Sequence, residues 1–130
     1  MYRYISSNIL HILTKGGKCM YTRYELYLDG EPQEVGFIVG LNELDLDLDV
    51  QDYIMEDFNE NLPFPKISDE DWKHTPLAYF TEKGLERFQE SIQRLLDIYE
   101  TYNFFDVVKL ESSLSDKTII YEDAYQVIAI

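Results

Sequence analysis

Seven apolar residues recur at three- and four-residue steps between positions 82 and 103, which indicates one long amphipathic helix. The stripe consists of Leu85, Phe88, Ile92, Leu95, Leu96, Tyr99 and Tyr102. Thr81 is predicted to be the N-cap residue, and Glu82 suits the positive end of the helix dipole. A helix with a single apolar stripe is stable only when another layer of structure covers that stripe.

Segments rich in β-forming residues stand on both sides of this helix and can supply that layer. Residues 21–29 and 34–39 are predicted to form a hairpin with Asp29-Gly30 in its turn. Residues 107–111, 118–121 and 125–130 are also β-rich, with a turn over 112–116. A short acidic helix is predicted over 51–61, and a proline-bounded loop over 63–76. We therefore predict an α+β fold: an antiparallel sheet packed against one long amphipathic helix, plus a short acidic helix.

The composition changes at Met20, and we interpret residues 20–130 as a single α+β domain. Residues 1–19 contain Arg3, Lys15 and Lys18 but no acid, whereas residues 20–130 contain 25 acids and eight bases. Residues 15–20 can be encoded by a purine-rich sequence of the kind that precedes bacterial start codons. One hypothesis is that 1–19 is a translated leader before a native start at Met20. The alternative is an amphipathic N-terminal arm.

The formal net charge of −14 restricts the classes of partner. DNA, RNA and anionic membranes carry phosphates that this chain would repel, whereas basic protein surfaces would be attracted. The single cysteine, Cys19, excludes an intrachain disulfide and suits a reducing, cytoplasmic compartment. No apolar run approaches the roughly 18 residues of a membrane span.

A base-free acidic segment occupies residues 24–65. Its 42 residues carry twelve carboxylates and no Lys or Arg. Soluble domains normally intersperse both signs of charge, so a long surface of one sign is expected to select a cationic partner.

Within this segment, the sequence Leu-Asp-Leu-Asp-Leu-Asp-Val over residues 44–50 alternates without a break. We predict a strand that places Asp45, Asp47 and Asp49 on one face, about 6.7 Å apart. That spacing is close to the rise of two nucleotides of one DNA strand, about 6.8 Å. The row could therefore engage Lys and Arg residues that hold phosphates. A simpler interpretation is a solvated strand face without a partner.

Calcium binding is a further alternative for the same residues. Asp45, Asp47, Asp49 and Glu56 match positions 1, 3, 5 and 12 of an EF-hand loop. The sixth position requires glycine for its sharp turn, and here it is Val50. We therefore do not predict a metal site.

A second acidic cluster, Asp69, Glu70 and Asp71, precedes the only tryptophan, Trp72. Tryptophan is enriched at the centres of protein interfaces, so Trp72 could anchor a partner. The alternative is that it packs under the loop as part of the core.

Catalytic patterns are weak throughout the chain. No Ser, His and acid set stands out, and the six glycines do not form a phosphate-binding loop. We predict no enzymatic activity and no cofactor.

The acids of residues 25–60 and 69–71 give the chain a profile that resembles small acidic inhibitors from phages and mobile elements. That group includes DNA-mimic proteins and anti-CRISPR proteins directed at guide-RNA nucleases. The resemblance is compositional, covers mainly the first half of residues 20–130 and includes no diagnostic motif. Its members share no single fold, so it assigns no residue. It implies a mechanism, which is occupation of a cationic DNA or RNA channel.

From these observations we predict a non-enzymatic, cytoplasmic inhibitor that binds the basic surface of a nucleic-acid-binding enzyme, such as a guide-RNA nuclease. The residues predicted to contact this partner are Asp45, Asp47, Asp49, Asp52, Glu56, Asp57, Glu60, Asp69, Glu70, Asp71 and Trp72. Direct binding to nucleic acid or membrane is not expected, and the sequence does not indicate an oligomeric state. The alternative is an acidic interaction module of the immunity or regulatory type, in which the acidity serves solubility.

Overall fold

The computed structural model describes residues 4–5 and 20–130. The two interpretations of residues 1–19, leader or amphipathic arm, concern residues outside this described part, apart from the short strand at 4–5.

The described strands form one sheet. They are β1 (Tyr4–Ile5), β2 (Tyr21–Leu28), β3 (Glu31–Gly36), β4 (Leu77–Phe80), β5 (Asp106–Ser112), β6 (Ile119–Glu122) and β7 (Gln126–Ala129). Their order across the sheet is β1-β5-β2-β4-β7-β6, and β3 also pairs with β2. All pairs are antiparallel except β1 with β5. The predicted α+β class with an antiparallel sheet is therefore confirmed in outline.

Helices fill the connections between these strands. A 3-10 helix spans Val39–Leu44, and the α-helices are α1 (Leu48–Asn61), α2 (Asp69–Trp72), α3 (Glu82–Arg87) and α4 (Gln89–Tyr102). The main core lies between the sheet and the inner faces of α1, α3 and α4. A smaller cluster of Tyr79, Leu114, Val127 and Ala129 lies on the opposite side of β4 and β7.

Aromatic rings form the centre of the main core. Phe58 of α1 stacks on Phe88 at 5.3 Å between centroids, and both lie within 6.5 Å of Phe80 on β4. Phe37 extends the contact to Tyr24 on β2, with its ring 4.7 Å from that of Tyr24. These rings join α1 to the sheet, and they fix which face of α1 is buried.

The predicted single helix over 82–103 is two helices, because the backbone leaves the helical conformation at Phe88 (φ −106°, ψ 17°). No proline or glycine marks this point in the sequence. The apolar stripe itself is buried as predicted from Phe88 to Tyr99, whereas Tyr102 is exposed. The Thr81 cap is confirmed, since its hydroxyl accepts a hydrogen bond from the Gly84 amide at 3.0 Å.

Apart from residues 44–50, the strand predictions are confirmed in outline, with two differences. The second strand of the hairpin begins earlier than expected, at Glu31, and ends at Gly36. Strand β4 lies where the sequence analysis ended a proline-bounded loop, and its four residues are too few for a clear alternating pattern.

Gly84 provides a test of how α3 is attached to the sheet. The Tyr125 carbonyl accepts the Thr81 amide at 3.0 Å, and a Cβ atom at Gly84 would collide with that same carbonyl oxygen. Gly84→Ala should therefore destabilise the fold by about 1–3 kcal/mol through overpacking, although alanine normally favours a helix. Urea unfolding followed by circular dichroism measures this change. Lys83→Ala, on the exposed neighbour, should change stability by less than about 0.5 kcal/mol, and equal stabilities of both variants would contradict the contact.

Candidate acidic interface and groove

The Asp-Leu alternation of residues 44–50 does not form a strand, so that prediction is wrong. Leu44 ends the 3-10 helix, Asp45 takes a left-handed conformation (φ 54°), and α1 begins at Leu48. Asp47 therefore occupies the N-cap position of α1, and Asp49 lies in its first turn.

The preference of aspartate for helix starts explains why the alternation fails as a strand signal, although the Asp47 side chain makes no capping hydrogen bond. Aspartate tolerates the left-handed region and is favoured at the N-cap and in the first turn of a helix. The four apolar residues also do not share a buried face: Leu44 is buried and Leu46 half-buried, whereas Leu48 and Val50 are exposed. The strand-based carboxylate spacing of about 6.7 Å is therefore absent.

Helix α1 creates a different row of carboxylates, which we call the α1 acidic row. It consists of Asp49, Asp52, Glu56 and Glu60, all exposed and separated by three or four residues. Ile54 and Phe58 are buried on the opposite side of the same helix. At 1.5 Å per residue, the row extends along about 16 Å of the helix.

Most of the α1 acidic row would lower the stability of an isolated helix. Asp52 and Glu56, and Glu56 and Glu60, are like-charge pairs four residues apart, which destabilise a helix by about 0.2–0.5 kcal/mol each. Glu60 also lies near the C-terminal end, where the helix dipole disfavours an anion. Helix α1 contains no Lys or Arg to offset these charges. Helix stability therefore does not explain Asp52, Glu56 and Glu60, whereas Asp49 lies in the first turn, where the dipole favours an acid.

Asp57 does not belong to the row, because an arginine of the protein itself engages it. The Arg87 guanidinium forms a bidentate ion pair with the Asp57 carboxylate, at 2.8 and 3.0 Å. The hydrogen bonds from Arg87 lower the pKa of Asp57 below its usual value, with a further contribution from the Asn61 amide and against a raising effect of burial. Arg94 lies over the Tyr53 ring at 5.0 Å. Both contacts connect α1 to the α3–α4 pair.

The second predicted cluster forms the short helix α2. Ser68 caps it through a hydrogen bond from the Asp71 amide at 3.1 Å, and its first turn is acidic, as the helix dipole favours. Asp69 and Glu70 are exposed and Asp71 is half-buried. Trp72 is 48% exposed, so it is not the core residue of the alternative interpretation.

A groove lies next to Trp72 where the sheet divides. Strands β3 and β4 share one edge of β2: β4 pairs at Thr22 and β3 from Glu25 onward. Between them opens an apolar groove of about 500 Å³, which we call the fork groove. Its walls come from β2, β3, β4, the C-terminal half of α1, the 63–65 segment and Trp72. A smaller cavity of about 300 Å³ reaches Asp52 and shares four lining residues with the groove: Ile38, Val39, Met55 and Asn59.

Arg23 of β2 lines the groove and connects β2 to β4. Its Nε donates to Glu25 at 2.8 Å, and its Nη1 donates to the Ala78 carbonyl of β4 at 3.1 Å. Glu25 is consequently buried, so one of the twelve carboxylates of the acidic segment faces inward. Neither Arg23 nor the groove was predicted from the sequence. The two-residue spacing of Arg23 and Glu25 on one strand was the available signal for the ion pair.

Neither a metal site, nor a membrane-spanning helix, nor a similar known protein points to a function for the described residues. Within the described residues, no group of three or more His, Cys, Asp or Glu side chains is arranged to hold a metal ion. The helices of residues 20–130 are all too short or too polar to cross a membrane. Comparison with models of protein families, with curated proteins and with solved structures finds no match.

The α1 acidic row predicts an unusual effect on stability. The triple variant Asp52→Asn, Glu56→Gln, Glu60→Gln should be more stable than the wild type by about 0.5–1 kcal/mol, because it removes two like-charge pairs and an unfavourable dipole contact. Urea unfolding at low ionic strength measures the gain. Glu82→Gln removes an acid from the first turn of α3 and should have the opposite sign. A triple variant that is less stable than the wild type would show that the row supports the fold.

The Asp57–Arg87 pair predicts a dependence of stability on pH. The pKa of Asp57 is lower in the folded state than in the unfolded state, where it is about 3.9. The ionised Asp57 carboxylate therefore adds to the free energy of unfolding above this pH, and that contribution is lost as the pH falls through the pKa of the folded state. Asp57→Asn should be less stable than the wild type at pH 7, and the difference should shrink below about pH 4. Denaturant unfolding across this range measures it. Asn61→Ala isolates the smaller amide contribution, and a constant difference at every pH would exclude the ion pair as the cause.

Proposed function

We propose that this protein is a non-enzymatic inhibitor that binds a cationic, nucleic-acid-binding surface of another protein through the α1 acidic row. The observation that carries the proposal is the row itself: four exposed carboxylates on one face of a helix that contains no basic residue. Their steps of about 4.5–6 Å along the helix are comparable to the roughly 6.8 Å of two nucleotides of a DNA strand. Arg and Lys side chains that hold phosphates can pair with carboxylates in the same way.

The overall electrostatics favour the same class of partner. Residues 20–130 have a formal charge of −17, from 25 acids and eight Lys and Arg. Within the described residues, three of the eight are engaged in internal ion pairs: Arg23 with Glu25, Lys73 with Glu70, and Arg87 with Asp57. The field around α1 is therefore strongly negative, which accelerates association with a basic protein and opposes approach to nucleic acid. A guide-RNA nuclease, acting in the cytoplasm, is a partner of this kind because it holds its heteroduplex in a positively charged channel.

The remaining predicted contact residues have different places in this proposal. Asp45 and Asp47 are exposed immediately before α1 and extend the acidic surface beyond its first turn. Asp69 and Glu70 belong to the separate acidic end of α2, and Lys73 approaches Glu70 at 3.4 Å. Asp57 is held by Arg87 and is not assigned to the partner surface.

Competition with DNA tests the proposal. Purified guide-RNA nucleases and other cationic DNA-binding enzymes are mixed with labelled duplex, and DNA binding is followed by fluorescence anisotropy as the protein is added. We expect displacement of DNA by at least one enzyme class and a steep loss of displacement as salt rises. The Asp52→Asn, Glu56→Gln, Glu60→Gln variant should bind about tenfold more weakly, since exposed ion pairs contribute about 0.2–1 kcal/mol each.

A matched variant controls for net charge. Glu100→Gln, Asp116→Asn, Glu122→Gln removes three exposed carboxylates from α4, the loop before β6 and β6 itself. It should compete as well as the wild type. The row variant is expected to be more stable than the wild type, so its loss of competition could not be attributed to unfolding. Equal effects of the two triple variants would favour the alternative, an interaction module whose acidity serves solubility, and displacement of none of the enzymes would overturn the proposal.

A further inference from the structure

The fork groove leaves large apolar side chains exposed at its mouth. Phe64 is 83% exposed, Val39 is 68% exposed and Trp72 is 48% exposed, and all three line the groove. Isolated exposed apolar residues are normal, but three of them around one apolar concavity are typical of a binding surface. Tryptophan and phenylalanine also supply much of the contact area at interface centres.

The charges around this groove determine the kind of occupant. Among the described residues that line it, Arg23 is the single cation, and its guanidinium is already engaged by Glu25 and the Ala78 carbonyl. Glu34 lines the fork groove and Asp52 lines the adjoining cavity, and both side chains are exposed. A ligand that enters from solvent therefore meets apolar walls with carboxylates at the margins. This arrangement disfavours fatty acids, anionic lipids and acidic peptides.

The position of the exposed side chains favours a protein segment over a small molecule. A small ligand inside the groove would leave most of the Phe64 ring in water. A segment of a larger partner can fill the groove and cover Phe64 and Val39 at the same time. It can also bring basic residues to Asp52 and Glu56 of α1.

We propose that the fork groove binds a basic segment of the partner protein that carries large apolar side chains. The apolar side chains enter the groove between β3 and β4, and the flanking Lys and Arg residues meet Glu34 and the α1 acidic row. This inference rests on the proposed function and extends it, because it divides the interface into two parts. The acidic row supplies a salt-sensitive part, and the groove supplies an apolar part that salt does not screen.

Trp72 reports on this site directly, since it is the only tryptophan of the chain and lines the groove. Three synthetic peptides serve as probes: a Lys-Leu repeat, a Lys-Gly repeat of equal length and charge, and a Glu-Leu repeat. We expect the Lys-Leu peptide to shift Trp72 emission to shorter wavelength in a saturable manner, at both low and high salt. The Lys-Gly peptide should bind only at low salt and without that shift, and the Glu-Leu peptide should not bind.

A pair of phenylalanine variants tests the location. At high salt, Phe64→Ser should lower the affinity for the Lys-Leu peptide at least fivefold. Phe104→Ser, at an exposed phenylalanine that does not line the groove, should leave the affinity within twofold of the wild type. Both residues are exposed, and circular dichroism verifies that both variants fold. Equal affinities of Phe64→Ser and the wild type, or equal binding of the Lys-Leu and Glu-Leu peptides, would overturn the inference.

The α1 variant separates this inference from the proposed function. At low salt, the triple variant Asp52→Asn, Glu56→Gln, Glu60→Gln should have a lower affinity for the Lys-Leu peptide. Its affinity at high salt and the Trp72 emission shift should be unchanged. If Phe64→Ser still displaces DNA from a nuclease as well as the wild type does, the groove inference fails and the proposed function stands. If the peptide binds as expected but no nuclease is displaced, the proposed function fails and the groove still binds basic apolar segments.

Discussion

The packing of Phe58 against Phe80 and Phe88 is the contact on which the rest of the molecule depends. It attaches α1 to the sheet and to the α3–α4 pair at a single aromatic centre. Because a helix presents opposite faces to opposite surroundings, burial of Phe58 and Ile54 forces Asp52 and Glu56 outward. Burial of aromatic rings thus fixes the position of the acidic surface, and it compensates for the like-charge repulsion along α1.

The divided edge of β2 has a comparable influence on the surface next to α1. Because β3 and β4 each pair with only part of this edge, a gap remains between them. Arg23 of β2 lines this gap and bonds to Glu25 of the same strand and to the Ala78 carbonyl of β4. Helix α1 and Trp72 border the same gap. The acidic row and the apolar groove are therefore neighbouring features of one surface. A partner that engages both would combine electrostatic steering with apolar anchoring.

Local pattern was sufficient for much of the fold. The apolar spacing from Phe88 to Tyr99 correctly predicted which side of this segment is buried. Thr81 predicted the start of a helix, and Asp29-Gly30 predicted the hairpin turn. The Asp-Leu alternation misled because aspartate is also favoured at helix N-termini, and the helical pattern after Gln51 extended back to Leu48. The break at Phe88 had no local signal, since it lies where that ring is held between Phe58 and Tyr125.

The sequence by itself determined the α+β class, the strong net negative charge and the absence of bases from residues 24–65, because these depend on composition and short-range periodicity. Only the tertiary structure decided which acids share a surface. Glu25 faces inward to Arg23, and Asp57 is held by Arg87, thirty residues away. Phe64 and Trp72 stand at one groove for the same reason: contacts between distant segments set the positions of side chains, and no local pattern records them.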